Sequence, residues 1–146
     1  MYDSILIPFD GSEEAEKGAE HGLGLAETCG ATVHALYVID LPGAPRTVYI
    51  RDDEEEMRER YREYGEEVTT DIKERAEERG LDCVTVIRSG SPGEEIVDYA
   101  KEENIGAIVL GSAYRGRLGA LLGSTAEKVV RTAEVPVVTV REKMNE

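Results

Sequence analysis

Four glycines, Gly111, Gly116, Gly119 and Gly123, and two arginines, Arg115 and Arg117, crowd into one stretch of this chain. They lie between an apolar run ending at Leu110 and the helix-start pattern Ser124-Thr-Ala-Glu127. Glycines in such a loop let the backbone turn sharply and approach a ligand closely. The helix that follows offers unpaired N–H groups and the positive end of its dipole to an anion. Arginine adds paired donors that match phosphate oxygens, the other reading being that Arg115 and Arg117 pair with surface carboxylates. A connection of about a dozen residues is also long beside the roughly 2–6 of a usual strand-to-helix turn. Together these features point to a small-molecule phosphate, with a nucleotide as the leading ligand.

Other chemistries find less support. His21 and His34 are the only histidines, neither stands in a metal spacing, and packing or surface roles are expected for both. Ser112, Ser124 and Thr125 carry hydroxyls, but no G-x-S-x-G elbow surrounds them, and Ser124 reads first as a helix cap. A Walker lysine motif and a G-x-G-x-x-G turn after the first strand are both missing. Asp10 is the most pointed carboxylate. It either meets a ribose, a base or a metal-bound water, or it caps the first helix, a task Ser12 could take instead. No catalytic set and no metal site emerges.

The elements that must position these residues alternate in type. Ser4-Ile-Leu-Ile-Pro-Phe9 is too short for a helix and apolar enough for a buried strand. A helix starts at Asp10-Gly-Ser-Glu-Glu14, keeps Ala15, Ala19, Leu23 and Ala26 on one face, and stops near Gly30. Small residues on that face predict close packing against a sheet. Thr32 to Ile39 reads as a second strand. After Pro42, Gly43 and Pro45, a long helix runs from about Asp52 to Arg79, with Met57, Tyr61, Tyr64, Val68, Ile72 and Ala76 as its docked stripe. Cys83 to Arg88 is a third strand. Ser91-Pro-Gly-Glu94 is a capping-box start for a short helix that ends around Asn104 and Gly106. Ile105 to Leu110 is a fourth strand. The second capping box at Ser124 opens the last helix, and Val135 to Val140 forms a fifth strand.

Alternating strands and helices call for right-handed crossovers and a parallel sheet. The expected fold is a single α/β domain over residues 1–146: a doubly wound five-stranded parallel sheet, Rossmann-like, with helices on both faces. In such sheets ligands bind beyond the carboxyl ends of the strands, where strand order reverses. That places the site at Pro8 to Asp10, Val38 to Asp40, and Leu110 onward.

Charge narrows the partners. With 31 acidic and 17 basic residues, the chain would repel a nucleic acid, and an acidic, strongly solvated surface suits a high-salt cytoplasm. Cys29 and Cys83 have no C-x-x-C spacing and read as free thiols near the core. The N-terminus opens on a strand-like run without a signal peptide, and no apolar stretch approaches the ~18 residues that cross a bilayer. A cytoplasmic protein without membrane partners is expected.

The chain resembles the universal stress protein family along nearly its whole length. The resemblance is carried by Ile5-Leu-Ile-Pro-Phe-Asp-Gly-Ser12, Tyr37-Val-Ile-Asp40 and Gly90-Ser-Pro-Gly-Glu-Glu-Ile96. Ile108-Val-Leu-Gly-Ser112, Leu121-Leu-Gly-Ser-Thr-Ala-Glu-Lys-Val-Val130 and Val135-Pro-Val-Val-Thr-Val-Arg141 complete it. The resemblance implies a fold like that of the adenine nucleotide alpha hydrolases and a homodimer paired through the Val135–Val140 strand. It also implies a nucleotide site: Pro8, Phe9 and Asp10 on the nucleoside side, Val38 and Leu110 at the base, and Gly111, Gly123, Ser124 and Thr125 at the phosphates. The ATP-binding branch of the family carries G-x2-G-x9-G-[ST]. Gly111 and Gly123-Ser124 match its ends, but Tyr114 stands at the second glycine and eight residues, one fewer than the pattern, separate it from Gly123. Gly116 is the nearest substitute, with Arg115 and Arg117 beside it.

The leading expectation is therefore a stress-response or signalling homodimer that binds an adenine nucleotide, ATP, with Mg²⁺ carried by the nucleotide. The alternative, resting on Tyr114 and the shortened loop, is a family member that binds no nucleotide and acts as a protein-interaction dimer. Slow ATP hydrolysis is a third reading by analogy alone, since no general base or water-positioning residue is evident.

Overall fold

Five parallel strands form one sheet in the order β3-β2-β1-β4-β5 in a computed structural model that describes residues 1–40, 52–114 and 122–143. The strands are β1 (Ser4–Pro8), β2 (Thr32–Ile39), β3 (Cys83–Ser89), β4 (Ala107–Tyr114) and β5 (Val137–Lys143). Between them run α1 (Glu13–Cys29), α2 (Asp52–Glu78), α3 (Pro92–Glu102) and α4 (Ser124–Thr132). The apolar β1 lies at the centre, and its side chains alternate between two cores, as a strand buried on both faces requires. Ile5 and Ile7 join Leu23 of α1 and Ile72 and Ala76 of α2 on one face. Leu6 joins Ile96, Tyr99 and Ala100 of α3 and Val129 of α4 on the other. The doubly wound expectation holds.

Several boundaries differ from the sequence reading, each for a local reason. β4 does not stop at Leu110 but continues to Tyr114, because β5 pairs with it residue by residue from Ile108↔Val137 to Tyr114↔Lys143. β5 accordingly starts two residues later than expected and runs past Val140. Pro136, which has no N–H to give a ladder, lies outside β5, while its carbonyl accepts from Ile108 N–H at 2.9 Å. The stripe expected to dock along the whole of α2 is buried only toward its C-terminus: Ile72 and Ala76 are enclosed, whereas Met57, Tyr61 and Tyr64 are exposed. Length explains this. A helix of 27 residues spans ~40 Å, and an eight-residue strand such as β2 spans ~26 Å, so α2 outruns the sheet.

Ion pairs fasten α2 to α1. Arg75 bonds Glu16 at 2.6 Å, Glu20 at 3.2 Å and Asp71 at 2.6 Å, while Arg79 reaches Glu20 at 3.2 Å and Glu27 at 3.4 Å. These groups are partly solvated, so each pair adds little by itself; the network fixes orientation. No described helix is long and apolar enough to cross a membrane. Cys29 and Cys83 are both free and half-buried, as expected.

His34 is the one histidine in the interior, 9% exposed. Its Nδ1 shares a 2.6 Å hydrogen bond with the Tyr99 hydroxyl, and the Arg88 guanidinium lies 5.0 Å from the Tyr99 ring centroid. Burial lowers the His34 pKa, outweighing the opposing pull of Glu103. A histidine whose pKa is depressed by folding is protonated first in the unfolded chain, so its contribution to stability is lost as pH falls through and below ~6.5. Between about pH 7.5 and about pH 5.5 the wild type should therefore lose more stability than His34→Gln, read from urea midpoints. Parallel pH profiles for the two proteins would contradict this.

Candidate functional site

The crevice begins where β1 and β4 part. They pair only at Ile5↔Ala107 and Leu6↔Ile108, after which β4 runs on with β5 while Phe9 N–H bonds the Leu36 carbonyl of β2 at 2.8 Å. β1 ends at Pro8, whose missing N–H leaves no donor there to extend the ladder toward β4. Strand order reverses at this point, since the chain moves from β1 to β2 on one side and later to β4 on the other. A cavity of about 720 Å³ opens above it. Nine of the residues expected at the site line this one cavity: Pro8, Phe9, Asp10, Val38, Leu110, Gly111, Gly123, Ser124 and Thr125. Arg115 and Gly116, with Arg117 and Gly119, lie outside the described residues.

The N-termini of three helices converge here. Ser12 caps α1, its Oγ accepting from Ala15 N–H at 3.2 Å, and so takes the role left open between it and Asp10. The Asp10 carboxylate instead accepts from Ser12 N–H at 2.9 Å, and its carbonyl accepts from the Tyr64 hydroxyl at 3.0 Å. Ser91 is the N-cap of α3 with Pro92 in the first turn, but its side chain makes no capping bond, so the expected box does not close. Glu94 lies 3.9 Å from the Lys128 ammonium instead. At α4 the cap is Gly123 rather than Ser124, again without a side-chain bond. Ser124 is the first residue inside the helix. Gly123 N–H is held by Ser112 Oγ at 3.1 Å, which ties the start of α4 to β4.

An uncapped α4 leaves the first turn of a helix, rich in N–H donors, lining the cavity. The charged side chains among the described lining residues are Asp10, Glu14 and Asp40, all acidic and all toward the α1 and β2 side. The cavity is thus polarised: helix N–H groups of α4 favour an anion at one end, and carboxylates with apolar and aromatic residues stand at the other. Burial, then the nearness of Tyr64, Tyr61 and Asp10, holds the Tyr37 phenol above its ordinary pKa, so it remains a neutral donor. A second cavity, of about 420 Å³, lies at the opposite end of the sheet between the C-terminal ends of α3 and α4, away from every expected site residue.

Two of the expected site residues also have packing roles that the sequence reading did not assign. Gly111 is a glycine because α1 lies on top of it: a Cβ there would run into the Glu14 backbone carbonyl. Phe9 is 5% exposed, packs in the α1–α2 core and has its ring under Arg75, so little of this residue is open to the cavity that it lines. Ser112, weighed in the sequence only for its hydroxyl, also lines the cavity, as do Tyr37, Tyr61 and Ile96, which the sequence reading did not assign to the site. Ser112 carried a signal, since a strand extended past Gly111 would have buried it; the tyrosines did not, because their stripe is indistinguishable from ordinary docking.

The universal stress protein family model matches residues 1–141. Universal stress protein MJ0531 of Methanocaldococcus jannaschii is 34% identical over 152 aligned positions, covering 100% of this chain and 86% of that protein. The solved structure of MJ0577, a universal stress protein of the same organism, is 30% identical and superposes with a TM-score of 0.83 over 99% of both chains. An Arabidopsis thaliana universal stress protein with AMP bound shares the fold at 20% identity and a TM-score of 0.71, covering 95% of this chain and 91% of that one.

The geometry separates the two loop-end glycines. Gly111→Ala must displace backbone and should cost about 2 kcal/mol or more. At Gly123, with φ −62° and ψ 158°, the nearest atom that a Cβ would meet among the described residues is Ser112 Oγ at 3.9 Å. Gly123→Val should therefore cost under about 1 kcal/mol by urea denaturation, and equal losses for the two variants would contradict the assignment.

Proposed function

Because this chain belongs to the universal stress protein family, we propose that its cavity binds an adenine nucleotide, with the phosphates at the N-terminus of α4 and the nucleoside toward β1 and β2. The observation that carries the reading is the polarised cavity at the strand switch, where an uncapped helix start stands across from apolar and aromatic walls. The AMP of the Arabidopsis structure, alike in fold only, is what suggests adenine over other bases. ATP is the form proposed, since Arg115 and Gly116 belong to the same connection and would add donors beyond the first phosphate. The described residues hold no cluster of three or more potential metal ligands, so the reading gives Mg²⁺ to the nucleotide's own phosphates. The nucleotide's role is to set which partner the protein engages in stress response or signalling.

A homodimer through β5 is part of the same proposal. β5 lies at the sheet edge, its valines are half-buried, and an unpaired apolar edge strand is an aggregation liability unless a second copy covers it. Light scattering should return twice the 16.1 kDa chain mass, and a monomer would contradict it.

Titration calorimetry with Mg-ATP tests the binding claim. Saturable binding near one per chain is expected in the wild type and a loss of roughly a hundredfold or more in Gly123→Val, whose side chain would crowd the α4 N-terminus. A wild type that takes up no nucleotide would favour the protein-interaction dimer. Unchanged affinity in Gly123→Val would remove the phosphates from α4.

A further inference from the structure

The first half of α2 outruns the sheet and stands beside the cavity, and its tyrosines divide the work there. Tyr64 donates its hydroxyl to the Asp10 carbonyl at 3.0 Å and meets Tyr37 edge-on, with ring centroids 5.7 Å apart. Tyr37 in turn is buried against Gly65, where a Cβ would strike its ring, so the backbone of α2 lies directly on this tyrosine. These contacts lock α2 against the ends of β1 and β2. Tyr61 sits three residues before Tyr64, on the same helical face, and lines the cavity. It is 38% exposed, and no hydrogen bond or ring contact engages it among the described residues. An aromatic ring that is open to a cavity, on a helix held in place by its neighbours and without a hydrogen-bond or ring partner among the described residues, is suited to stacking on another planar ring.

We infer that Tyr61 is the stacking platform for the nucleobase of the bound nucleotide, which makes α2 the wall that selects for a planar base. The inference rests on the nucleotide reading above. It orients the ligand: phosphates at the α4 N-terminus, and the base at the opposite, aromatic end, beside Tyr37 and Val38. Polar contacts from Asp40 are available near that end, since it lines the same cavity. A ligand lacking the planar ring would gain the helix N–H groups but lose this contact.

Competition calorimetry on the intact chain compares ATP with ribose 5-triphosphate, which keeps the sugar and phosphates but carries no base. Tyr61→Ala should bind ATP roughly tenfold more weakly than the wild type, and ribose 5-triphosphate within about twofold of it. Tyr61→Phe, which keeps the ring, should restore ATP affinity to within about twofold. The melting temperatures of the three proteins should agree, because Tyr61 holds no other element. Equal ATP affinity in wild type and Tyr61→Ala would overturn the platform while leaving the nucleotide site in place. Equal losses for both ligands would make Tyr61 a structural residue and overturn it as well. A wild type that binds neither ligand would overturn both the platform and the nucleotide reading.

Discussion

Everything at the site depends on how closely α1 lies on β4. The face of α1 that meets the sheet is made of Ala15, Gly18, Ala19 and Gly22, residues small enough for backbone to approach backbone. Gly18 rests on Leu110 and Gly111, and Gly111 rests beneath the Glu14 carbonyl, so any side chain at either glycine would push the two elements apart. That approach fixes where α1 begins. Ser12, Asp10 and the end of β1 follow from it, and so does the height at which β4 passes the strand switch. The pair of glycines is thus a packing requirement from which the cavity results.

The remaining walls are attached to this frame by different means. Ser112 holds Gly123 N–H, and α4 then presents an uncapped first turn. α2 is held through Gly65 against Tyr37, through Tyr64 at Asp10, and through Arg75 and Arg79 along α1. In a chain with formal charge −14, sharing two arginines among several carboxylates also relieves local repulsion between α1 and α2. Among the described lining residues, the anion-favouring end takes its potential from the backbone dipole of α4 and not from a basic side chain.

Much of this was legible in the residues. Short apolar and β-branched runs marked the five strands, and the small residues on one face of α1 announced its tight packing against the sheet. Pro8 to Asp10, Val38 and Leu110 were placed together by topology alone, since strand order fixes which ends meet. What was not legible depended on pairing partners. A serine or glycine before Thr125 can each serve as cap, and only the bond from Gly123 to Ser112 decides between them. β4 extends past Leu110 because β5 is there to receive it, which polar Ser112 and Tyr114 do not signal. Tyr61 belongs to a periodic stripe that reads as core, and only the length of α2 relative to the sheet turns it outward. Arg115 and Gly116 lie outside the described residues, and their part in the site rests on sequence.

The most direct measurement is the small-molecule content of the protein as isolated. Gentle purification, denaturation and mass spectrometry of the released fraction would identify whatever occupies the cavity. An adenine nucleotide near one per chain is the predicted result. A protein that releases nothing, and whose melting temperature does not move when Mg-ATP is added, would contradict the account.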